Sequence, residues 1–170
     1  MTGAARGLMR RTILRCFVVN VGVLLVGVVP AWADAARPTN YRSTVTGVVP
    51  AEPDITADVT GGDSFLRIRV AAGHGVVVLG YEDEPYLRVT TDGAVEENLR
   101  SPATWLNRKR YGSTDPLPAD VDAKAPPNWR RISGHGAALW HDHRVHWMSL
   151  ARPPQLGAAT SGRVLDWTVK

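Results

Sequence analysis

The sequence predicts an all-β protein, an immunoglobulin-like antiparallel β-sandwich spanning residues 44–150. Three observations predict it. Apolar–polar alternation with period two recurs from Thr44 to Asn98, the alternating segments are short, and Gly, Asp and Pro separate them at close spacing.

Taken in order, "STVTGVV" (43–49) is rich in β-branched residues and stops at Pro50. "DITADVT" (54–60) places Ile55, Ala57 and Val59 on one face, and "GGD" (61–63) turns the chain. In "SFLRIRV" (64–70), Leu66, Ile68 and Val70 share a face, while Phe65, Arg67 and Arg69 take the other. "AAGHG" (71–75) is a second turn, followed by strand-like "VVVLGYE" (76–82) and "YLRVTT" (86–91). Asp92-Gly93 is a strong hairpin signal leading into "AVEEN" (94–98).

"SPATWLNRK" (101–109) breaks the pattern. Ser101 is placed to cap a short helix with Pro102 at its first position and basic residues at its end. Residues 111–128 contain four prolines and no apolar periodicity, which predicts a long surface loop, functional or flexible. "WRRIS" (129–133) and "AALWHDHRVHWMSL" (137–150) return to strand character, and 151–162 reads as a linker. "RVLDWTV" (163–169) predicts a terminal strand, either the last of the sandwich or the start of a truncated second domain.

Residues 1–33 are expected to be a signal peptide rather than fold. Arg6, Arg10, Arg11 and Arg15 form a basic head, the 14-residue run "CFVVNVGVLLVGVV" (16–29) follows, and "AWA" (31–33) offers a cleavage site. The run is well short of the ~20 apolar residues that span a bilayer. The pair Arg10-Arg11 leaves general secretion and twin-arginine export both open. A secreted or extracytoplasmic, cell-surface protein is therefore expected, with an irregular lead-in over 34–43 and no transmembrane helix in the mature chain.

Removal of the signal changes the charge. Four of the 20 basic residues precede residue 34 and all 16 acidic residues follow that boundary, so the mature chain balances at 16 of each sign. The basic character of the whole chain belongs to the signal and gives no argument for nucleic-acid binding. The only cysteine, Cys16, also lies in the signal. The mature chain thus has no disulfide, no thiolate nucleophile and no cysteine metal ligand. At 137 residues it is long enough to hold together by core packing.

The densest chemistry lies in "WHDHRVHW" (140–147), with three histidines in an HxHxxH spacing. If 139–147 were one extended strand, Leu139, His141, His143, Val145 and Trp147 would share one face. Asp142, Arg144 and His146 would share the other and pair with one another. His141 and His143 could then converge on copper or zinc, with a third ligand from His146 across a bulge, or from His74 or His135. The preferred reading is nevertheless scaffold, each imidazole finding its own hydrogen-bond partner in a partly buried strand whose polar groups mainly organise structure, with metal binding second. His74 and His135, each between glycines, are expected exposed at turn tips. No catalytic motif of the GxSxG, Walker or HExxH kind is present, so a hydrolase with His143 as base ranks last. The carboxylate pairs Glu82/Glu84 and Glu96/Glu97 are expected to be solvated turn charges.

"YRSTVTGVVP", "VTGGDSFLRIRV", "GYEDEPYLRV", "NLRSPATWLNRKRYG" and "WHDHRVHWMS" together resemble a family of uncharacterised exported or membrane-associated proteins of high-GC actinobacteria. The resemblance covers residues 40 to 150 and implies a signal peptide and a β-rich extracytoplasmic region, often tethered by a C-terminal transmembrane helix. This sequence has no such helix, and the resemblance implies no activity. The sequence reading is thus an exported, non-catalytic cell-envelope module whose partner is an unknown envelope protein or cell-wall component. Its alternative is a copper- or zinc-binding protein using His141, His143 and His146.

Overall fold

A computed structural model describes residues 39–170. The expected signal peptide (1–33), Cys16 and the beginning of the lead-in lie outside the described residues. The described chain is mostly β: two antiparallel sheets, of three and four strands, with almost no helix.

The first sheet has the order β1-β2-β7, from β1 (Ile55–Thr60), β2 (Phe65–Val70) and β7 (Ala137–Trp140). The second runs β3-β4-β5-β6, from β3 (Val76–Leu79), β4 (Pro85–Val89), β5 (Val95–Asn98) and β6 (Trp129–Ser133). The second sheet is therefore a plain meander. The immunoglobulin fold instead divides its strands as ABED and CFG, and the strand order here does not follow that division.

Alternation explains the register. Leu66, Ile68 and Val70 are buried, whereas Arg67 and Arg69 face outward and pair with Asp58 of β1. One core cluster joins these residues to Val78, Leu87 and Val89 of the second sheet, with Val95 fully buried. The Asp92-Gly93 hairpin forms as predicted: Gly93 has φ of 80°, and Thr90 N donates to Ala94 O at 2.9 Å. Gly136 ties the sheets at one end. Its N–H donates to Gly93 O, its carbonyl accepts from Val70 N, and its φ of 64° is in the region glycine favours.

The short helix α1 (Pro102–Leu106) also forms where the sequence puts it. Ser101 accepts from Ala103 N at 3.2 Å, and Pro102 needs no donor at the first position. Ser101 Oγ in turn donates to Glu84, whose carboxylate also accepts from Glu82 N at 2.9 Å. Glu84 is thus buried rather than solvated, correcting the reading of the Glu82/Glu84 pair. Gly80 makes this possible, because any Cβ there would overlap the Glu84 carboxylate.

Two expected strands do not join a ladder. Residues 43–49 have no regular secondary structure and are tied to the turn after β1 by Ser43 N donating to Gly62 O at 3.0 Å. Residues 163–169 likewise have no regular secondary structure. Leu79 N donates to Lys170 O at 2.9 Å, and Trp167 and Val169 pack against the core. Alternation lets both segments bury one face, but it does not supply a partner backbone in register. The loop 111–128 is largely exposed yet anchored at its far end, where Arg100 Nη1 donates to Pro126 O at 2.9 Å. No helix among the described residues is long and apolar enough to cross a membrane.

Candidate metal site

Residues 139–147 do not form one strand. β7 ends at Trp140, and His143–Val145 make a 3₁₀ turn. Asp142 causes the break. Its backbone stays extended while one carboxylate oxygen accepts from Arg144 N at 3.0 Å, the capping geometry short acids offer in place of a sheet ladder. Trp140 Nε1 donates to the same carboxylate at 2.9 Å, and Arg144 adds two side-chain bonds at 2.9 and 2.7 Å. Burial would raise the Asp142 pKa, but its bonds with Arg144 hold it below the ordinary range. Arg144 Nη1 also donates to Leu79 O at 3.0 Å, linking the end of β7 to the end of β3. The predicted Asp142–Arg144 pairing is therefore present; His146 is not part of it.

The turn abolishes the expected alternation. Leu139 is 56% exposed and Val145 fully buried, so they do not share a face with the histidines. His146 instead swings to the side of His141 and His143. Ring centroids are 4.6 Å apart for His141–His146, 5.9 Å for His141–His143 and 5.8 Å for His143–His146. One ring nitrogen from each lies within 4.8 Å of the other two. Three such atoms share a point no more than about 2.8 Å from each, against ~2.0–2.1 Å for a zinc–imidazole bond. Ring movements below about 0.8 Å would complete three bonds.

Each ring is also held from behind. His143 Nε2 lies 2.7 Å from Lys109 O, and His146 Nδ1 lies 3.1 Å from Trp147 O. A carbonyl oxygen only accepts, so both nitrogens carry the proton. His141 bonds the Ser64 backbone through its ring, while its Nε2 is buried without a partner. The nitrogens left with lone pairs are therefore Nε2 of His141, Nε2 of His146 and Nδ1 of His143. The buried Nε2 of His146 likewise has no hydrogen-bond partner. Backbone carbonyls that fix tautomer and ring orientation are the usual support of histidine metal ligands.

The surroundings disfavour protonation. Burial, then His146, Arg110 and His143, push His141 down to about 4. Burial also lowers His146, against the bond to Trp147 O. Arg110 forms a buried ion pair with Asp63 at 2.6 Å, and Thr39 Oγ1 donates to the same carboxylate at 2.8 Å. Phe65 meets His141 edge-on, Tyr81 stacks on His143, and Tyr111 meets His146 edge-on. Asn107, the C-cap of α1, accepts from His143 N at 3.2 Å and from the Tyr81 hydroxyl.

His74 and His135 are not brought to this cluster. His74 is exposed and lies 3.4 Å from Asp54, and His135 is exposed at its turn. The supporting groups Ser64, Asn107, Lys109 and Arg110 were not legible as site residues. Only Asp142, a turn-favouring acid inside a strand-like run, signalled that the run would bend.

Fold and site together define a mostly β, two-sheet protein carrying a three-histidine cluster. No family model, curated protein or solved structure matches the chain.

Proposed function

We propose that this chain is an exported, non-catalytic β-sandwich protein of the cell envelope that binds a copper or zinc ion through His141, His143 and His146. One observation carries the metal reading: one ring nitrogen from each of His141, His143 and His146 lies within 4.8 Å of the other two. A scaffold histidine would direct both ring nitrogens at partners or solvent. Here two Nε2 atoms are buried and unpartnered, and each orphaned polar atom costs free energy that a metal bond would return. Imidazole nitrogens suit copper and zinc better than magnesium or calcium.

The extracytoplasmic location rests on the basic head, short apolar run and AWA sequence, and on the resemblance to exported actinobacterial proteins. Absence of a catalytic motif favours binding over turnover.

The test is metal content of the mature protein isolated from its own envelope, for the wild type and for His141→Ala and His143→Ala. The proposal expects stoichiometric copper or zinc in the wild type and none in the variants. A metal-free wild type that also fails to take up either ion in vitro would overturn it.

A further inference from the structure

The ligand set itself carries a choice of charge. All three donors are neutral imidazoles, and no carboxylate or thiolate belongs to the cluster among the described residues. The two nearby acids are committed elsewhere: Asp63 to Arg110 and Thr39, Asp142 to Arg144 and Trp140. Nε2 of His141 and Nε2 of His146 are buried from solvent. The Arg110 guanidinium acts on both His141 and His146, but at His146 the carboxylate of its partner Asp63 acts against it.

We infer, resting on the metal reading above, that this site selects the monovalent d¹⁰ ion Cu(I) over divalent zinc or copper. Two physical terms agree. The cost of taking an ion out of water scales with the square of its charge, so a dication without an anionic ligand pays about four times the monocation's penalty. Zinc held by three histidines keeps a fourth position for water, and two of the ring nitrogens here are sealed from solvent, whereas Cu(I) is satisfied by a trigonal set. One nitrogen from each ring, all within 4.8 Å of one another, would share a point within about 2.8 Å of each. No electron transfer is required: the ion binds as Cu(I) and leaves as Cu(I).

The test uses the wild-type mature protein under anaerobic conditions, so it does not depend on a variant folding. Cu(I) is titrated in competition with bicinchoninate, and Zn(II) in competition with a chromophoric chelator. The expected result is a Cu(I) dissociation constant at least about 100-fold below that for Zn(II), with three nitrogen neighbours in the copper absorption edge. Zn(II) binding as tight as Cu(I), or tighter, would overturn the choice of ion and leave the metal site standing. Binding of neither ion would remove both readings. Cu(I) binding that persists undiminished in a folded His143→Gln variant would place the ion elsewhere and also overturn the inference.

Discussion

Two sets of polar side chains interleave between Trp140 and Trp147, and they are treated in opposite ways. Asp142 and Arg144 are saturated: the fully buried carboxylate accepts from Trp140 Nε1, Arg144 N and the Arg144 side chain, and Arg144 reaches on to Leu79 O. His141, His143 and His146 each have a bond to backbone on one side of the ring, and one ring nitrogen from each lies within 4.8 Å of the other two. The first set shows what this segment does when it builds scaffold. The histidines lack that saturation, and this difference is the ground for the proposed metal site.

The sharpest way to break the comparison is Asp142→Ala. It would leave Arg144 without its carboxylate and Trp140 Nε1 without an acceptor, and should cost ~3–5 kcal/mol. Urea unfolding of metal-free protein measures this directly. A loss below about 1 kcal/mol would show that the turn does not depend on Asp142.

Metal should stabilise through the histidine set alone. At ~100 times its dissociation constant an ion adds ~2.7 kcal/mol to the native state, raising Tm by on the order of 8 °C. His141→Ala, His143→Ala and His146→Ala should each abolish the shift in thermal scans. An equal shift in any of them would remove that ring from the site.

Acid should act on the histidines in a defined direction. His141 is held at about 4 in the folded chain and His146 is also lowered, against ~6.5 in the unfolded chain. Above ~6.5 both states carry neutral rings and stability is at its full value. As pH falls from ~6.5 towards 4 the unfolded chain takes up protons that the folded chain refuses. Stability then drops by up to ~1.4 kcal/mol per pH unit for each such histidine. Metal affinity should weaken over the same range, because protons compete for the lone pairs. His141→Ala should flatten the metal-free profile between pH 6 and about 4; an unchanged profile would contradict the assignment.

The smallest effects belong to His74→Ala and His135→Ala. Both residues are exposed, so stability should change by less than about 0.5 kcal/mol, with no change in the metal-induced Tm shift. A lost shift in either variant would bring a distant residue into the site.

Much of this was legible in the sequence where the signal is local. The alternation of Leu66, Ile68 and Val70, the Asp92-Gly93 turn and the Ser101-Pro102 cap each act within a few residues, and each forms as read. Residues 43–49 and 163–169 alternate equally well but lie outside the ladders, because strand pairing depends on a partner that the segment itself does not encode. Glu84 was misread for the same reason: its partner Ser101 lies 17 residues away. The three histidines were visible as candidates. Their convergence was not, because it needs the Asp142 turn and the carbonyls of Ser64, Lys109 and Trp147.

The most direct measurement is nitrogen-15 NMR of the imidazole rings in the mature protein near pH 7, first metal-free and then with Zn(II) or Cu(I), both diamagnetic. The structure predicts protons on Nδ1 of His141 and His146 and on Nε2 of His143. Added metal should shift Nε2 of His141, Nε2 of His146 and Nδ1 of His143, leaving His74 and His135 unmoved. The opposite tautomers, or rings that do not respond to either ion, would contradict the claim that three lone pairs are held ready for a metal.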